Sequence, residues 1–420
     1  MTRGIALILL ALLFLNAAEA RAQSKQSPDI TRQPYEGTWL TNGGPLTLVA
    51  ETSPNGTRIH GSLQFGPAQK GTITDGQYDP GKRQITYNYD QHWTGQKVTV
   101  TLSVSPDSQM MTGAWRQQNV GTGQMVAKLL FRGNPPKASE ARPHGMAFSN
   151  QPRLEVLPVL FIPRDANWIT QRDIDLYSFL IFSHLELAQK HYKSLLKTDT
   201  FKISGEPLFV FRSKNDDAYY LEQLANHIPG RYSSTAEILR ARNQDRYSSN
   251  NILVIIYVRA KPRLHGKPVL GGGRPFNGAP NTGGGSLELE LSSLLYDEFY
   301  SFQAALNHEI GHTFGLQHPD VYGYDQKINE SNMSYNPIIF SRGLNPVSGG
   351  KYYGGKFNPE EFFTLAQNKR AFPEFRYVPT EHNPDGRIIK PIYFPCLPDE
   401  IGQRRGFQGK TCTRWPCPCN

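Results

Sequence analysis

Three histidines and one glutamate fall within eleven positions of the segment Asn307–Asp320, NHEIGHTFGLQHPD. His308 and His312 are four residues apart, so on a helix their imidazoles share one face, about 6 Å apart along the axis. Two imidazoles at that separation can occupy adjacent corners of a zinc tetrahedron. Gly315 is suited to end the helix in a left-handed conformation, and the resulting turn allows His318 to return as a third ligand.

Three protein ligands leave a fourth position open for water, which is the arrangement of catalytic rather than structural zinc. Glu309 points about 100° away from His308, so it can contact a metal-bound water without occupying a corner. The alternative is an amphipathic helix that merely carries histidines. The pattern H-E-x-x-H-x-x-G-x-x-H fixes five residues and has a chance rate on the order of 10⁻⁷ per position, which favours the zinc site.

These residues resemble the metzincin metallopeptidases, in which the long zinc motif is followed by a methionine turn. The likeness runs from about residue 154 to Met333, which lies in SNMSYN, 15 residues after His318. In the serralysin and astacin branches, a tyrosine two positions after this methionine approaches the zinc and stabilises the oxyanion. The resemblance therefore implies that role for Tyr335, and an apolar floor beneath the imidazoles for Met333.

Other features of these families are missing or less specific. The chain has no glycine–aspartate calcium repeats of the serralysin kind. No cysteine precedes Cys396, so the cysteine switch of matrix metallopeptidases is also missing. PIIF (Pro337–Phe340) lies where metzincins build the pocket after the scissile bond, which implies an apolar preference there.

The resemblance implies a secreted zinc-dependent endopeptidase that cleaves protein or peptide substrates. Zinc is the expected cofactor, and Glu309 is the expected general base and acid. The alternative is a zinc-containing extracellular binding module without significant peptidase activity. Glu309 and Tyr335 favour the enzyme, because a binding module needs neither. Asp320 is the one nearby candidate for a fourth ligand that would close the site and make the zinc structural.

Residues 1–22 are predicted to be a signal peptide, so we expect a secreted or periplasmic protein. Arg3 precedes the 11-residue apolar run Ile5–Leu15, and Ala20 and Ala22 supply small residues for cleavage. Eleven apolar residues fall short of the roughly 20 that a spanning helix needs. The net charge of +9 makes an anionic cell-surface or wall polymer a candidate partner. No dense basic run with interleaved aromatic residues indicates nucleic-acid binding.

All four cysteines lie in the predicted tail, residues 391–420: Cys396, Cys412, Cys417 and Cys419. An even number of cysteines in an exported chain predicts two disulfides, with three connectivities open. A second metal site is the alternative interpretation. The C-P-C spacing is tighter than that of a zinc knuckle, which favours disulfides.

The length of 420 residues exceeds one hydrophobic core, so two or more domains are expected. Residues 35–132 alternate apolar and polar in short strands, which predicts a small all-β barrel or meander of about eight strands, filled by side chains rather than by a ligand. Residues 133–153 are rich in proline and alanine and are predicted to be a linker. Residues 154–390 alternate strands and helices, which predicts a mixed sheet. The resemblance to metzincins implies that this is the metallopeptidase domain, with a long active-site helix. The overall class is α+β.

Two elements of this second domain bear on function. Asp173–Leu196 is predicted to be a long helix on which His184 and His191 share one face, and we assign no role to either. SLELEL (Ser286–Leu291) alternates strictly and is predicted to be an exposed edge strand that could bind an extended peptide by strand addition. The two glycine triplets that precede it lack the spacing of a phosphate-binding loop.

Overall fold

The structure is a computed structural model. It describes residues 32–139, 154–225, 230–244, 251–260, 272–275, 284–296, 299–336, 355–387 and 389, except for residues 42, 54–55, 67–68, 93 and 119. The predicted signal peptide, most of the predicted linker, Pro337–Phe340 and the cysteine-rich tail lie outside the described residues.

Eight antiparallel strands form a closed barrel, in which each strand pairs with the next and the last pairs with the first. The strands are β1 (Gly37–Thr41), β2 (Gly44–Ser53), β3 (Gly56–Gly66), β4 (Gln69–Asp79), β5 (Gln84–Gln91), β6 (Gln96–Val104), β7 (Met110–Gln117) and β8 (Gly121–Phe131). Side chains alternate between the interior and the solvent. In β6, Val98, Val100 and Leu102 are buried, whereas Lys97 and Thr99 are exposed. This two-residue period is the pattern that predicted the all-β domain, which is confirmed as a closed barrel.

Aromatic and aliphatic side chains fill the barrel interior. Trp39 and Tyr87 have no exposed surface. The indole nitrogen of Trp39 donates to the carbonyl of Tyr35 at 2.8 Å, and the hydroxyl of Tyr87 lies 3.6 Å from Sδ of Met125. The interior of the barrel is therefore a packed core of side chains.

A six-stranded mixed sheet follows, in the order β10-β9-β12-β14-β13, with β11 also paired to β9. These strands are β9 (Glu155–Ile162), β10 (Lys202–Ile203), β11 (Phe209–Arg212), β12 (Asn251–Tyr257), β13 (Gly272–Pro275) and β14 (Gly285–Glu290). Strand β13 is antiparallel to β14, and the other pairs are parallel. Strands β9 and β12 are buried along nearly their whole length, as expected for central strands covered on both faces.

The prediction of an exposed edge strand at Ser286–Leu291 is wrong. Strand β14 lies between β12 and β13, and β13 occupies the edge of the sheet. Both glutamates of this strand have partners within the protein. Glu288 accepts from the hydroxyl of Ser234 at 2.8 Å, and Glu290 accepts from the guanidinium of Arg259 at 3.1 Å. Strict alternation shows only that the two faces of a strand differ, and it does not show whether both edges are paired.

Helices cover both faces of the sheet. Helices α1 (Gln171–Leu196), α4 (Leu291–Tyr296) and α5 (Phe299–Thr313) lie on one face, and α2 (Asp217–Ala225) and α3 (Gly230–Ala241) lie on the other. Two short helices follow, α6 (Pro359–Gln367) and α7 (Pro379–His382). The chain is therefore α+β, as predicted. Among the described helices, none is long and apolar enough to cross a membrane.

The barrel packs against the N-terminal half of α1. Lys70 of β4 forms an ion pair with Asp173, with Nζ 2.8 Å from Oδ1. Gln64 of β3 donates its side-chain amide to the hydroxyl of Tyr177 at 2.8 Å. Asp173 and Tyr177 are both buried. The barrel therefore covers this part of α1, while the C-terminal half of the same helix lies beside α5.

Candidate metal centre

Helix α5 carries two of the three predicted ligands, His308 and His312, one turn apart and both buried. The chain leaves the helix where the sequence predicted, because Gly315 adopts a left-handed conformation with a φ of 92°. Glycine reaches this φ without the steric penalty of a Cβ. The amide of Leu316 donates to the carbonyl of Gly311 at 3.0 Å, which completes the turn. The turn directs His318 back towards the first two histidines.

The three imidazoles converge on one point. Nε2 of His318 lies 3.2 Å from Nε2 of His308 and 3.0 Å from Nε2 of His312. The three ligand atoms all lie within 4.8 Å of one another. A tetrahedral ion with metal–nitrogen bonds of about 2.0–2.1 Å holds its nitrogens about 3.3 Å apart. His308, His312 and His318 could therefore hold a metal ion with little rearrangement.

Hydrogen bonds on the far side of two rings determine which nitrogens face that point. Nδ1 of His308 donates to the carbonyl of Asn332 at 3.1 Å, and Nδ1 of His312 donates to the carbonyl of Leu316 at 2.8 Å. In a neutral imidazole the Nε2 atom then carries a lone pair. Burial lowers the pKa of His308 to about 3, and it also lowers the pKa of His318. Neutral imidazole rings whose lone pairs converge on one point are suited to bind a cation.

Glu309 follows the first ligand on α5, and only 7% of its surface is exposed. The edge strand β13 lies directly against the helix backbone at this residue. A Cβ on Gly273 would be 2.1 Å from the carbonyl oxygen of Glu309 and 3.2 Å from Cβ of His312. Only glycine fits at that distance. Within the described part of the chain, no strand pairs with the other edge of β13.

Tyr335 lies between the histidines and the solvent. Its ring centroid is 4.8 Å from that of His318 and 5.4 Å from that of His308, and 46% of the residue is exposed. The side chain expected to contact substrate therefore lies beside the metal ligands on a side that solvent reaches.

Met333 packs beneath α5 and is fully buried. A Cβ on Gly311 would be 2.3 Å from Sδ of Met333 and 3.1 Å from the hydroxyl of Tyr192. Gly311 lies between the two helical ligands, so its missing side chain allows both groups to approach the helix backbone. Sequence reasoning treated this position as unconstrained. A glycine inside a helix lowers the stability of the helix by about 1 kcal/mol relative to alanine. The presence of glycine at position 311 was therefore a sequence signal that another group packs closely against the helix there.

A buried carboxyl group, that of Glu361, anchors the turn that carries Met333. The hydroxyl of Ser331 donates to Oε1 of Glu361 at 2.5 Å and accepts the amide N–H of Met333 at 2.8 Å. Oε2 of Glu361 accepts the amide N–H of Asn358 at 2.8 Å, which forms the capping box of α6. Burial raises the pKa of Glu361 to about 8. The capping-box spacing of Asn358 and Glu361 is local, but no local pattern pointed to the contact with Ser331, which lies 30 positions away.

His184 and His191, to which the sequence analysis assigned no role, are buried in α1 behind the metal centre. Nδ1 of His184 lies 2.7 Å from Oε1 of Gln303 in α5. Burial lowers the pKa of each histidine to about 4, so both are neutral near pH 7. They contribute to the packing of α1 around α5 and do not belong to the group of three converging histidines.

Comparisons with known proteins give no relative from which a function could be transferred. No protein-family model matches the chain. No curated protein matches it at a significant level. The functional conclusion therefore depends on the residues of the metal centre and their geometry.

Proposed function

We propose that the protein is a zinc-dependent endopeptidase of the metzincin type, with the metal held by His308, His312 and His318. The observation that carries this proposal is the convergence of three Nε2 atoms. Glu309 directly follows the ligand His308 in the sequence. Tyr335 lies against the rings of His308 and His318 on the solvent side. When bound, zinc supplies a Lewis acid that polarises the scissile carbonyl and acidifies water.

Two side chains provide the remaining chemistry. Glu309 accepts a proton from the attacking water and later delivers it to the leaving amine. Tyr335 donates a hydrogen bond to the oxyanion that develops on the scissile carbonyl. The exposure of Tyr335 supports this role, because a group that contacts substrate must be accessible from the solvent.

The edge strand β13 supports a peptide as the substrate. An extended peptide can add to such an edge through main-chain hydrogen bonds. Gly273 holds β13 in contact with the backbone of Glu309, so a peptide on this edge lies close to the general base. Binding along the main chain, away from the peptide termini, is typical of an endopeptidase.

The N-terminal segment and the cysteine-rich tail support a location outside the cytoplasm. We expect the mature chain to begin near Gln23, after the signal peptide of residues 1–22. Mass spectrometry of the exported protein checks this expectation. Exported protein that still contains residues 1–22 would contradict it.

The test of the proposed function is Glu309→Gln, which keeps the size of the side chain and removes the base. Peptidase activity should fall at least about 10²-fold, as expected for the loss of a general base. Zinc content should stay at about one ion per chain, because all three ligands remain. Turnover is measured on a peptide library with and without a chelator, and zinc by atomic spectroscopy. The matched control is Glu381→Gln in α7, an exposed glutamate outside the centre.

Two outcomes would overturn the proposal. Equal cleavage rates for wild type and Glu309→Gln would show that Glu309 is not the base. Zinc binding by wild type without cleavage of any peptide would instead favour the extracellular binding module.

A further inference from the structure

Two side chains from distant parts of the chain donate to a single backbone carbonyl, that of Asn307. The hydroxyl of Tyr192 in α1 lies 3.0 Å from this oxygen, and the side-chain amide of Asn332 lies 3.1 Å from it. In sequence these donors are 115 and 25 residues from Asn307. Asn307 directly precedes the metal ligand His308. Three separate elements therefore meet at the residue before the first ligand.

Asn332 also holds that ligand directly. Its carbonyl accepts from Nδ1 of His308 at 3.1 Å. Its own amide N–H donates to the carbonyl of Lys356 at 2.8 Å. The residue is thus fixed through its side chain and through its backbone. Its carbonyl sets the tautomer of His308 and the direction of Nε2, because a metal-binding imidazole is oriented by the partner of its other nitrogen.

Tyr192 is held in one position by its surroundings. The residue is fully buried. Phenylalanine rings lie against it, those of Phe201, Phe314, Phe357 and Phe372. Its hydroxyl would be 3.1 Å from a Cβ on Gly311, so it lies close to the backbone of α5 between His308 and His312. The packing therefore directs the hydroxyl at the part of the helix that carries both ligands.

We propose that Tyr192 and Asn332 are positioning residues that fix the metal ligand His308 through the carbonyl of Asn307. We refer to Tyr192, Asn307 and Asn332 as the backbone clamp. The clamp touches neither substrate nor metal, so its effect appears first in how tightly the metal is held. The inference rests on the proposed metal site.

The experiment compares two buried tyrosines of α1 in the full-length chain. Tyr192→Phe removes the hydroxyl that bonds to α5, whereas Tyr177→Phe removes the hydroxyl that accepts from Gln64 of the barrel. The zinc dissociation constant is measured by competition with a chelator. Tyr192→Phe should raise it about 10-fold, as expected for loss of an outer-shell contact, and Tyr177→Phe should leave it at the wild-type value.

Two further measurements separate positioning from a general loss of stability. In cobalt-substituted protein, the visible absorption spectrum should change in Tyr192→Phe and stay unchanged in Tyr177→Phe, because it reports the geometry of the ligands. Asn332→Ala should raise the zinc dissociation constant about 10- to 100-fold. In the double variant that combines Asn332→Ala with Tyr192→Phe, the zinc dissociation constant should rise by less than the product of the two single fold-changes, because both donors bond to one carbonyl.

Equal zinc dissociation constants and equal spectra for Tyr192→Phe and Tyr177→Phe would overturn the clamp while leaving the proposed function intact. A wild-type protein that binds neither zinc nor cobalt would overturn both. If Tyr192→Phe does not fold, Asn332→Ala is compared with Ser334→Ala. That control removes a hydrogen bond to the carbonyl of Ser331 within the same turn. Equal zinc affinities in that pair would also overturn the clamp.

Discussion

In the barrel, buried polar side chains lie near the ends of strands, whereas in the mixed-sheet region one group of them surrounds helix α5. Gln64 and Gln91 lie near the ends of β3 and β5, and their amides donate to tyrosine hydroxyls. Around α5, by contrast, buried polar groups such as Asn307, His308 and Asn332 bond to partners from several elements. A buried polar group without a partner costs about 1–3 kcal/mol, so the second arrangement tolerates fewer substitutions.

This difference assigns separate contributions to the two regions. Apolar packing in the barrel interior contributes mainly to the stability of the fold. The polar groups around α5 hold the imidazoles of His308 and His312 in an arrangement that suits a metal ion. Substitutions in the barrel should therefore change stability and leave the metal in place, whereas substitutions around α5 should weaken metal binding.

The largest effect is expected from His312→Ala. Two remaining imidazoles do not hold zinc against a chelator, so the metal content should fall from about one ion per chain to near zero. Atomic spectroscopy after dialysis against a chelator measures this. The control is His60→Ala in the barrel, which should retain its zinc. Full zinc content in His312→Ala would show that the site lies elsewhere.

The opposite behaviour is expected from Trp39→Ala in the barrel interior. Removing this fully buried ring should lower the free energy of unfolding by about 3–5 kcal/mol, the usual cost of deleting a large aromatic side chain from a core. Denaturant unfolding measures the change. The folded protein should still bind about one zinc ion per chain. Folded Trp39→Ala without zinc would mean that barrel packing controls the metal centre.

Gly273→Ala tests the contact between the edge strand and the metal helix. The new Cβ would be 2.1 Å from the carbonyl oxygen of Glu309, so β13 or α5 must shift. A displacement of about 1 Å near reacting groups can cost about 10²-fold in rate, and a loss of that order in kcat/KM is expected. Gly205→Ala is the control, because no heavy atom lies within 4 Å of its added Cβ. Similar kcat/KM values for the two variants would exclude a role for this contact.

The smallest effect per measured step, which is one pH unit, is expected from Glu361→Gln, whose stability is compared with that of wild type at a series of pH values. Burial raises the pKa of Glu361 from 4.5 to about 8, so the folded state binds this proton more tightly than the unfolded state. Its contribution to stability is fully present below pH 4.5 and is lost as the pH rises through about 8. Glutamine does not titrate. The stability of wild type relative to the variant should therefore fall across this window, by at most about 1.4 kcal/mol per pH unit. Thermal unfolding at a series of pH values measures this, and parallel curves would contradict it.

The parts of the structure that could be predicted are those encoded by local spacing. Alternating apolar residues predicted the barrel strands, and the positions of His308, His312 and Gly315 predicted a helix, its end and a returning third histidine. Each of these patterns repeats over two to four residues, which is the period of a strand or a helix. Composition and spacing within one segment were sufficient for them.

The remaining features depend on partners far away in the chain. Tyr192 and Glu361 look like ordinary members of amphipathic helices, and only the folded chain brings them to Asn307 and Ser331. The edge position of β13 was missed for the same reason. The order of strands in a sheet depends on pairing between distant segments, and the alternation of Ser286–Leu291 describes only its two faces.

The contact between barrel and helix α1 restricts which domains could be exchanged in a chimeric protein. Asp173 and Tyr177 are buried beneath the barrel and bond to Lys70 and Gln64. A replacement domain joined at the same point must present a cation and an amide donor to these two side chains. Otherwise the graft leaves the buried carboxylate without its cation and the buried hydroxyl without its amide donor. The surface of the barrel is complementary to α1. A module of similar size joined by a flexible linker would therefore not replace it in a chimera.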